Sequence, residues 1–272
     1  MPTWCPLLAS LAALVVGGAG TACQRGDPDV VRPTQHPKAK PGTPALHVGP
    51  DLVPFNEQSW DRLTGNGWGY LRRSSSKDDD LVADPTAPFS PPNVLRIAFT
   101  PDMGRDHEPS VHWMAVPDLK EVYTAWWMKV SPNWTCSPAG CGKITFLFGA
   151  GPGNNLYTGI FNPDAGGGPP FRVGLKPQWG GYDLNFYPNV TTTLIFPGEW
   201  HRIEFYFKWE ATPGLSGDGI FRRWVDGVLN GDYANIRYPA DRFVEFQYAP
   251  TLQNPPLAEQ YMYIDHTYVS GR

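Results

Sequence analysis

Short runs in which apolar and polar residues alternate recur along most of the chain, without the 3.6-residue period of helices. Each run is rich in β-branched or aromatic residues and ends near Gly, Pro or Asn, as β-strands do. The predicted strands are 93–100, 111–115, 121–130, 143–149, 171–175, 183–187, 200–209, 219–225 and 261–270. So many short strands without intervening helices predict an all-β sandwich of two antiparallel sheets.

Alternation also predicts which side chains share a face, because successive residues of a strand point to opposite sides of a sheet. The core face of 200–209 is expected to carry His201, Ile203, Phe205, Phe207 and Trp209. The opposite face carries Trp200, Arg202, Glu204, Tyr206 and Lys208. The strands 121–130 and 183–187 divide in the same way, so each strand has one apolar face and one face that mixes aromatic with polar groups.

Two segments predict loops rather than strands. Residues 72–92 contain the run Ser74-Ser75-Ser76, the run Asp78-Asp79-Asp80 and several Pro, and residues 149–168 are rich in Gly. The second loop is long enough to move over a ligand, with Tyr157 as a contact. Consecutive carboxylates rarely point at one centre, so we expect no metal site or cofactor and leave a structural calcium ion as the alternative for the three Asp.

The N-terminus predicts export. An apolar stretch at 6–19 is too short to span a bilayer and is followed by small residues up to Cys23, so residues 1–22 are expected to be a signal peptide. Gly20-Thr21-Ala22-Cys23 is similar to the lipobox of bacterial lipoproteins, in which the Cys is lipidated; ordinary cleavage after Ala22 is the alternative. Residues 23–50 are polar and Pro-rich and predict a disordered tether, which leaves 51–272 as one domain.

Two of the four cysteines remain for the exported domain. Cys136 and Cys141 are separated by the turn-forming residues Ser-Pro-Ala-Gly, so we expect a disulfide in an oxidising compartment. A zinc site is the alternative, but two Cys without a neighbouring His or second Cys pair make a poor ligand set.

Composition and net charge limit the size of the domain and the classes of molecule that it can bind. The 272 residues are 41% hydrophobic and 18% charged, which fits one large domain after the N-terminal segment is removed. The formal net charge is −4, and no stripe of Lys and Arg suits a nucleic-acid backbone. We expect no nucleic acid, a monomer, and contact with a membrane only through a lipid on Cys23.

The outward aromatic residues are the main signal for function. A sheet face that merely meets water seldom carries as many rings as Tyr123, Trp127, Tyr187, Tyr206 and Trp224. Sugar rings pack on aromatic planes while their hydroxyls and carboxylates bind Arg, Asn, Lys and Glu, so a polysaccharide is the predicted partner. Coverage of these rings by loops or by an N-terminal strand is the alternative.

One part of the chain resembles a known family. The segment 198–229 contains Gly-Glu-Trp-His and then Asp-Gly-Ile-Phe-Arg-Arg-Trp-Val-Asp-Gly, and residues 263–270 are similar to a closing strand. These strings resemble consecutive strands of concanavalin A-like jelly rolls, and most of all their polysaccharide-lyase-like members. The resemblance implies a jelly-roll fold, but lectins, hydrolases and lyases share this fold.

The Asp226-Gly227 pair in this segment has a structural interpretation that does not depend on the resemblance. Asp-Gly supplies the positive φ of a tight hairpin turn, so Asp226 is predicted to form a turn rather than to act as a catalytic carboxylate.

A polysaccharide lyase that acts on a uronic-acid polymer is the first hypothesis. It must neutralise the carboxylate, remove the C5 proton and protonate the leaving oxygen. Arg172, Asn185 and Arg222 are candidates for the carboxylate, and the catalytic candidates are Tyr187, Tyr206, Lys208 and His112; a His packed among aromatic residues is the alternative for His112. The other candidate substrate contacts are Trp127, Tyr123, Glu204, Trp224 and Tyr157.

Two further hypotheses stay open. The Gln-hydrophobic-His and Tyr-Phe-Lys-Ala-Gly segments of similar alginate lyases are absent, so their catalytic residues are not transferred, and a non-catalytic carbohydrate-binding surface lipoprotein is the second hypothesis. A glycoside hydrolase ranks third, because the Glu-x-Asp-x-x-Glu spacing that the glucanases of this fold carry is absent.

Overall fold

A computed structural model describes residues 52–73, 78–89, 92–136, 142–151, 154–162, 168–178 and 185–272. Within these residues the chain forms strands, turns and loops, and no helix is long and apolar enough to cross a membrane. The strands are β1 (Val53–Gln58), β2 (Trp68–Arg73), β3 (Asp79–Ala83), β4 (Asn93–Phe99), β5 (Ser110–Leu119), β6 (Glu121–Val130), β7 (Lys143–Gly149), β8 (Asn155–Phe161), β9 (Arg172–Pro177), β10 (His201–Lys208), β11 (Gly219–Val225), β12 (Val228–Ile236), β13 (Phe243–Thr251) and β14 (Gln260–Gly271).

The strands form two antiparallel sheets. The eight-stranded sheet has the order β12-β11-β10-β6-β14-β4-β3, and β1 also pairs with β14. The six-stranded sheet has the order β2-β5-β13-β7-β8-β9. Most neighbours in this order are distant in sequence, which is the arrangement of a jelly roll and confirms the predicted all-β sandwich.

The core lies between the sheets and is largely aromatic. Trp126 of β6 stacks on Phe205 of β10 at 5.5 Å and meets Tyr248 of β13 edge-on at 6.0 Å. Phe207 and Trp209 contact Phe243 of the opposite sheet. The predicted core face of 200–209 is confirmed, because all five of its side chains are buried.

The predicted hairpin at Asp226-Gly227 is confirmed. Both residues have positive φ, 53° and 78°, and they join β11 to β12. The Asp226 carboxylate accepts the backbone N–H of Arg202 at 2.8 Å, and its second oxygen lies 2.8 Å from Nδ1 of His201. The carboxylate therefore anchors the turn to β10, as its structural interpretation requires.

Both predicted loops contain a strand. Strand β3 lies in 72–92, where Asp79 pairs with the buried His112 and Asp80 with Arg96, so the acidic run is neutralised within an edge strand. Strand β8 lies in 149–168, and Tyr157 belongs to that strand rather than to a mobile loop. The loop prediction was wrong at these two places because strand pairing outweighs local Ser, Asp and Gly content.

The predicted strand 183–187 is also corrected. Its described part, 185–187, forms an isolated bridge between Phe186 and Leu175 at the side of β9. Strands β1, β2, β12 and β13 were not predicted, because their sequences are interrupted by polar residues, Gly or Pro.

Three predictions fall wholly or partly outside the described residues. The signal peptide, Cys23 and the tether precede residue 52, and Cys141 lies in the gap between 136 and 142. The pairing of Cys136 with Cys141 stays a prediction.

We expect Gly219→Ala to destabilise the fold. A Cβ at Gly219 would lie 2.5 Å from the carbonyl oxygen of Ile236, its partner in the β11–β12 ladder, so backbone would have to move. The expected loss is roughly 1–3 kcal/mol of unfolding free energy, measured by urea titration. Gly104→Ala is the control, because a Cβ there meets nothing within 4 Å. Equal unfolding midpoints for the two variants would contradict this packing.

Candidate functional site

The predicted site residues are divided between the two outer faces of the sandwich. Arg172, Tyr187 and Tyr157 lie at the outer face of the six-stranded sheet, with the exposed Asn185 in the segment beside β9. The others lie on strands of the eight-stranded sheet: Tyr123, Trp127, Glu204, Tyr206, Lys208, Arg222 and Trp224. Because the core separates these faces, the two groups cannot act on one sugar together.

On the eight-stranded sheet, the polar groups of the outer face bind each other. The Tyr123 hydroxyl donates a hydrogen bond to Glu204, and Arg202 Nε lies 3.5 Å from the other oxygen of that carboxylate. Burial, reinforced by the charge of Glu204, raises the pKa of Tyr123 well above its ordinary value. A phenol held in this way remains protonated and does not serve as a base.

Tyr206 is engaged in a second network of the same face. Its hydroxyl donates to Glu121 at 2.9 Å, and Arg272 donates to the other Glu121 oxygen at 2.9 Å. Burial and the hydrogen bond to Glu121 raise the pKa of Tyr206 to about 12. Leu52, which precedes β1, packs in one cluster with Tyr123, Tyr206 and Trp224. This packing agrees with the alternative stated above, in which the N-terminal part of the domain covers these rings.

Most cations of this face form ion pairs within the protein. The pairs are Arg202 with Glu204, Arg222 with Asp232, Arg272 with Glu121, Lys129 with Asp84, and Arg96 with Asp80. Lys208 forms no salt bridge among the described residues, so the uncompensated positive charge on this face is sparse.

His112 is a histidine packed among aromatic residues, as the alternative to a catalytic role stated. Its side chain is fully buried between the sheets, where Nε2 lies 2.7 Å from Asp79 and the ring contacts Trp60 and Tyr70. Without exposure, the imidazole cannot reach a polymer, so the structure removes His112 from the candidate bases.

The outer face of the six-stranded sheet has a different organisation. A row of side chains in mutual register crosses five strands from β5 to β9. Its members are Trp113, Gln247, Phe146, Tyr157 and Lys176. Trp113 and Lys176 at the two ends of the row are partly exposed, whereas Gln247, Phe146 and Tyr157 between them are largely buried. The row runs in the direction of an extended chain laid across the strands, and its rings and polar groups suit sugars.

Two glycines flatten the floor beside this row. Gly159 and Gly174 face each other on β8 and β9, and the Phe161 ring lies across them. A Cβ at Gly174 would come within 2.8 Å of that ring. The Phe161 ring meets Tyr187 edge-on at 5.7 Å, so the two aromatic residues form a shelf at the β9 side.

Three cations accompany the rings of this face. Lys143 Nζ lies 5.1 Å from the centre of the Tyr157 ring and 5.5 Å from that of Phe146, and the Arg172 guanidinium lies 5.5 Å from Tyr187. Lys176 follows on β9. Among the residues that the structure describes, Lys143 and Lys176 form no salt bridge, in contrast to the paired cations of the opposite face.

Tyr157 and Tyr187 differ in their surroundings. Tyr157 is 9% exposed, and burial together with the neighbouring Tyr187 raises its pKa. Tyr187 is 40% exposed, and its main chain is fixed by the Tyr233 hydroxyl, which donates to the Tyr187 carbonyl. Arg223 supports the same segment by donating to the Phe186 carbonyl at 3.2 Å. One phenol is thus kept protonated, and the other is open to a ligand.

Sequence reasoning missed Lys143, Phe146, Phe161, Lys176 and Gln247. The β7–β8 register shifts between Lys143 and Thr145, so Lys143 shares the outer face with Phe146 although the two are three residues apart. Strict alternation would separate them. The position of Lys143 above two rings therefore could not be predicted from alternation alone.

A metal site finds no support in the described part of the chain, where no group of three His, Cys, Asp or Glu side chains is placed to share an ion. In the Asp78–Asp80 run, Asp79 binds His112 and Asp80 binds Arg96, so these two carboxylates have different partners.

Comparison with known proteins links this architecture to carbohydrate-active enzymes. No protein-family model and no curated protein sequence matches the chain significantly. Among solved structures, an alginate lyase from Chlorella virus is 16% identical at a TM-score of 0.54, over 76% of this chain and 94% of that one.

Two other structures share the fold. An endo-β-1,4-glucuronan lyase from the fungus Trichoderma reesei is 14% identical at a TM-score of 0.51, over 80% of this chain and 94% of that one. A carbohydrate esterase from the Shiga toxin-encoding bacteriophage phi24B is 14% identical at a TM-score of 0.53, over 82% of this chain and 100% of that one. At such identities the likeness concerns the fold alone. The chain has the jelly-roll fold seen in polysaccharide lyases.

Proposed function

We propose that the protein is an exported polysaccharide lyase that cleaves a uronic-acid-containing glycan by β-elimination on the outer face of its six-stranded sheet. The observation that carries the proposal is the presence there of cations beside aromatic rings, with Lys143 and Lys176 not neutralised by carboxylates of the described residues. Rings favour sugar faces, and uncompensated cations favour uronate carboxylates.

Arg172 and Lys176 are the proposed partners of the uronate carboxylate. Both lie on β9 and share its outer face, because they are four residues apart. Arg presents a planar fork that matches a carboxylate, and neutralisation of that group makes the C5 proton more acidic. Asn185, exposed beside Tyr187, extends the polar edge of this subsite.

Tyr187 and Tyr157 are the proposed base and acid. Tyr187 is exposed, and its ring lies 5.5 Å from the Arg172 guanidinium, which places the phenol beside the proposed carboxylate partner. The base takes the C5 proton, the electron pair forms the C4–C5 double bond, and the C4–O bond breaks. Tyr157, whose raised pKa keeps it protonated at neutral and mildly alkaline pH, gives its proton to the leaving oxygen, with Lys143 beside it.

Absorbance at about 235 nm tests the proposal, because β-elimination creates a conjugated double bond. The protein is incubated with alginate, glucuronan and other uronic-acid polymers. We expect a rise on at least one polymer and a loss of about 100-fold or more in kcat for Tyr187→Phe and for Tyr157→Phe. Tyr206→Phe is the matched control, since Tyr206 lies on the opposite face.

Two results would contradict this assignment. Loss of activity in Tyr206→Phe or Lys208→Ala, with Tyr157→Phe unaffected, would move the site to the eight-stranded sheet. No rise on any polymer, with retained binding in a pull-down, would indicate a non-catalytic carbohydrate-binding protein.

Binding is expected to depend on the cations of the six-stranded face. Replacing Lys143 and Lys176 together by Gln should raise the Kd for an acidic oligosaccharide about tenfold and reduce its dependence on salt, because two charges are removed. Isothermal titration at two NaCl concentrations measures both effects. Lys208→Gln, on the other face, should change neither, and an equal effect of that variant would contradict the proposed surface.

Export and anchoring form the second part of the proposal and rest on residues 1–50 of the sequence. In a bacterial host, the full chain is expected to partition into the detergent phase, and Cys23→Ala to shift it into the aqueous phase, because the lipidated residue is lost. Detergent partition followed by immunoblotting distinguishes these outcomes. Aqueous partition of the unmodified chain would favour ordinary cleavage after Ala22.

A further inference from the structure

The six-stranded face is asymmetric in charge. Lys143, Arg172 and Lys176, the cations described above, lie on β7 and β9, whereas Glu245 lies on β13 in register with Ala115 of β5 and Phe148 of β7. Glu245 accepts a hydrogen bond from the Gln247 amide, and among the described residues no salt bridge neutralises it. The surface therefore runs from a carboxylate on β13 to a cluster of cations toward β9.

Strand spacing relates this asymmetry to the length of a sugar. Neighbouring strands lie about 4.8 Å apart, so β13 and β9, separated by three steps, are about 15 Å apart. A sugar unit of a linear polymer is about as long as one step, roughly 5 Å. A chain that lies across the strands places one sugar over β9 and another, about three units away, over β13.

The two positions select different sugars. Over β9, a uronate meets Arg172 and Lys176. Over β13, a second uronate would meet the Glu245 carboxylate, and like charges repel. The neutral alternative fits better, because the half-buried Trp113 is in register with Gln247 and offers a ring to a sugar face, while the Gln247 amide and Glu245 accept hydroxyl hydrogens.

We propose that Glu245 is a specificity-determining residue that makes this groove prefer a mixed polymer, in which the third unit from a uronate is a neutral sugar, over a continuous polyuronate. This inference rests on the proposed function and adds the substrate class. Specificity here comes from a repulsive element as well as an attractive one.

Glu245→Gln tests this inference because it removes the charge while keeping the oxygen that accepts from Gln247. We expect kcat/KM on glucuronan and on polymannuronate to rise about fivefold, mainly through KM. The gain should shrink in 0.5 M NaCl, where the Debye length is about half its value at 0.1 M. On hyaluronan, which alternates a uronate with a neutral sugar, kcat/KM should change less than about twofold. Glu199→Gln, in the turn before β10, is the control.

The outcomes separate this inference from the proposed function. No cleavage of any polymer by either protein would contradict the lyase assignment itself, and fluorescence titration with the same polymers would then still report whether Glu245 selects between them. Cleavage of polyuronates with equal kcat/KM for both proteins would overturn the role of Glu245 alone. A gain in Glu199→Gln as large as in Glu245→Gln would indicate an effect of net charge and overturn it as well.

Discussion

The aromatic layer between the two sheets is the constraint on which the other features depend. Trp126, Phe205 and Tyr248 hold the sheets face to face, and each strand must turn its large apolar residues toward them. Since successive residues alternate, every strand then presents a second set of side chains to the outside. The packing of the interior therefore decides which residues are available for chemistry before any ligand is considered.

The two outer faces use similar residues for different purposes. Tyr, Arg and Glu occur on both, but Tyr123, Tyr206 and Arg202 satisfy carboxylates of their own sheet. A phenol that donates to a buried carboxylate is stabilised in its protonated form, and its hydrogen bond stabilises the fold. On the six-stranded face, Lys143 lies over rings instead, so its charge remains available. Ion pairing and hydrogen bonding, more than residue type, thus distinguish the two outer faces.

Much of the fold could be predicted from the sequence, and less of the site. The strands 121–130, 143–149 and 219–225 were predicted with the bounds that the structure has, because they are rich in aromatic and β-branched residues and end near Gly or Pro. Alternation assigns side chains to one face of their own strand but does not tell which sheet the strand enters. Tyr187 and Tyr206 are therefore equivalent in the sequence and lie on opposite faces in the structure.

The register shift in β7 has a consequence for how such a surface changes over time. Because an extra residue between Lys143 and Thr145 brings an ammonium group beside Phe146 and Tyr157, the position of that charge depends on the register of the strand. Without the bulge, the same seven residues would alternate strictly, and Lys143 would lie on the face opposite to Phe146, toward the aromatic interior. The cation at this place therefore depends on how β7 pairs with β8 as well as on the identity of residue 143, and a change of pairing removes it from the surface without any exchange of the lysine.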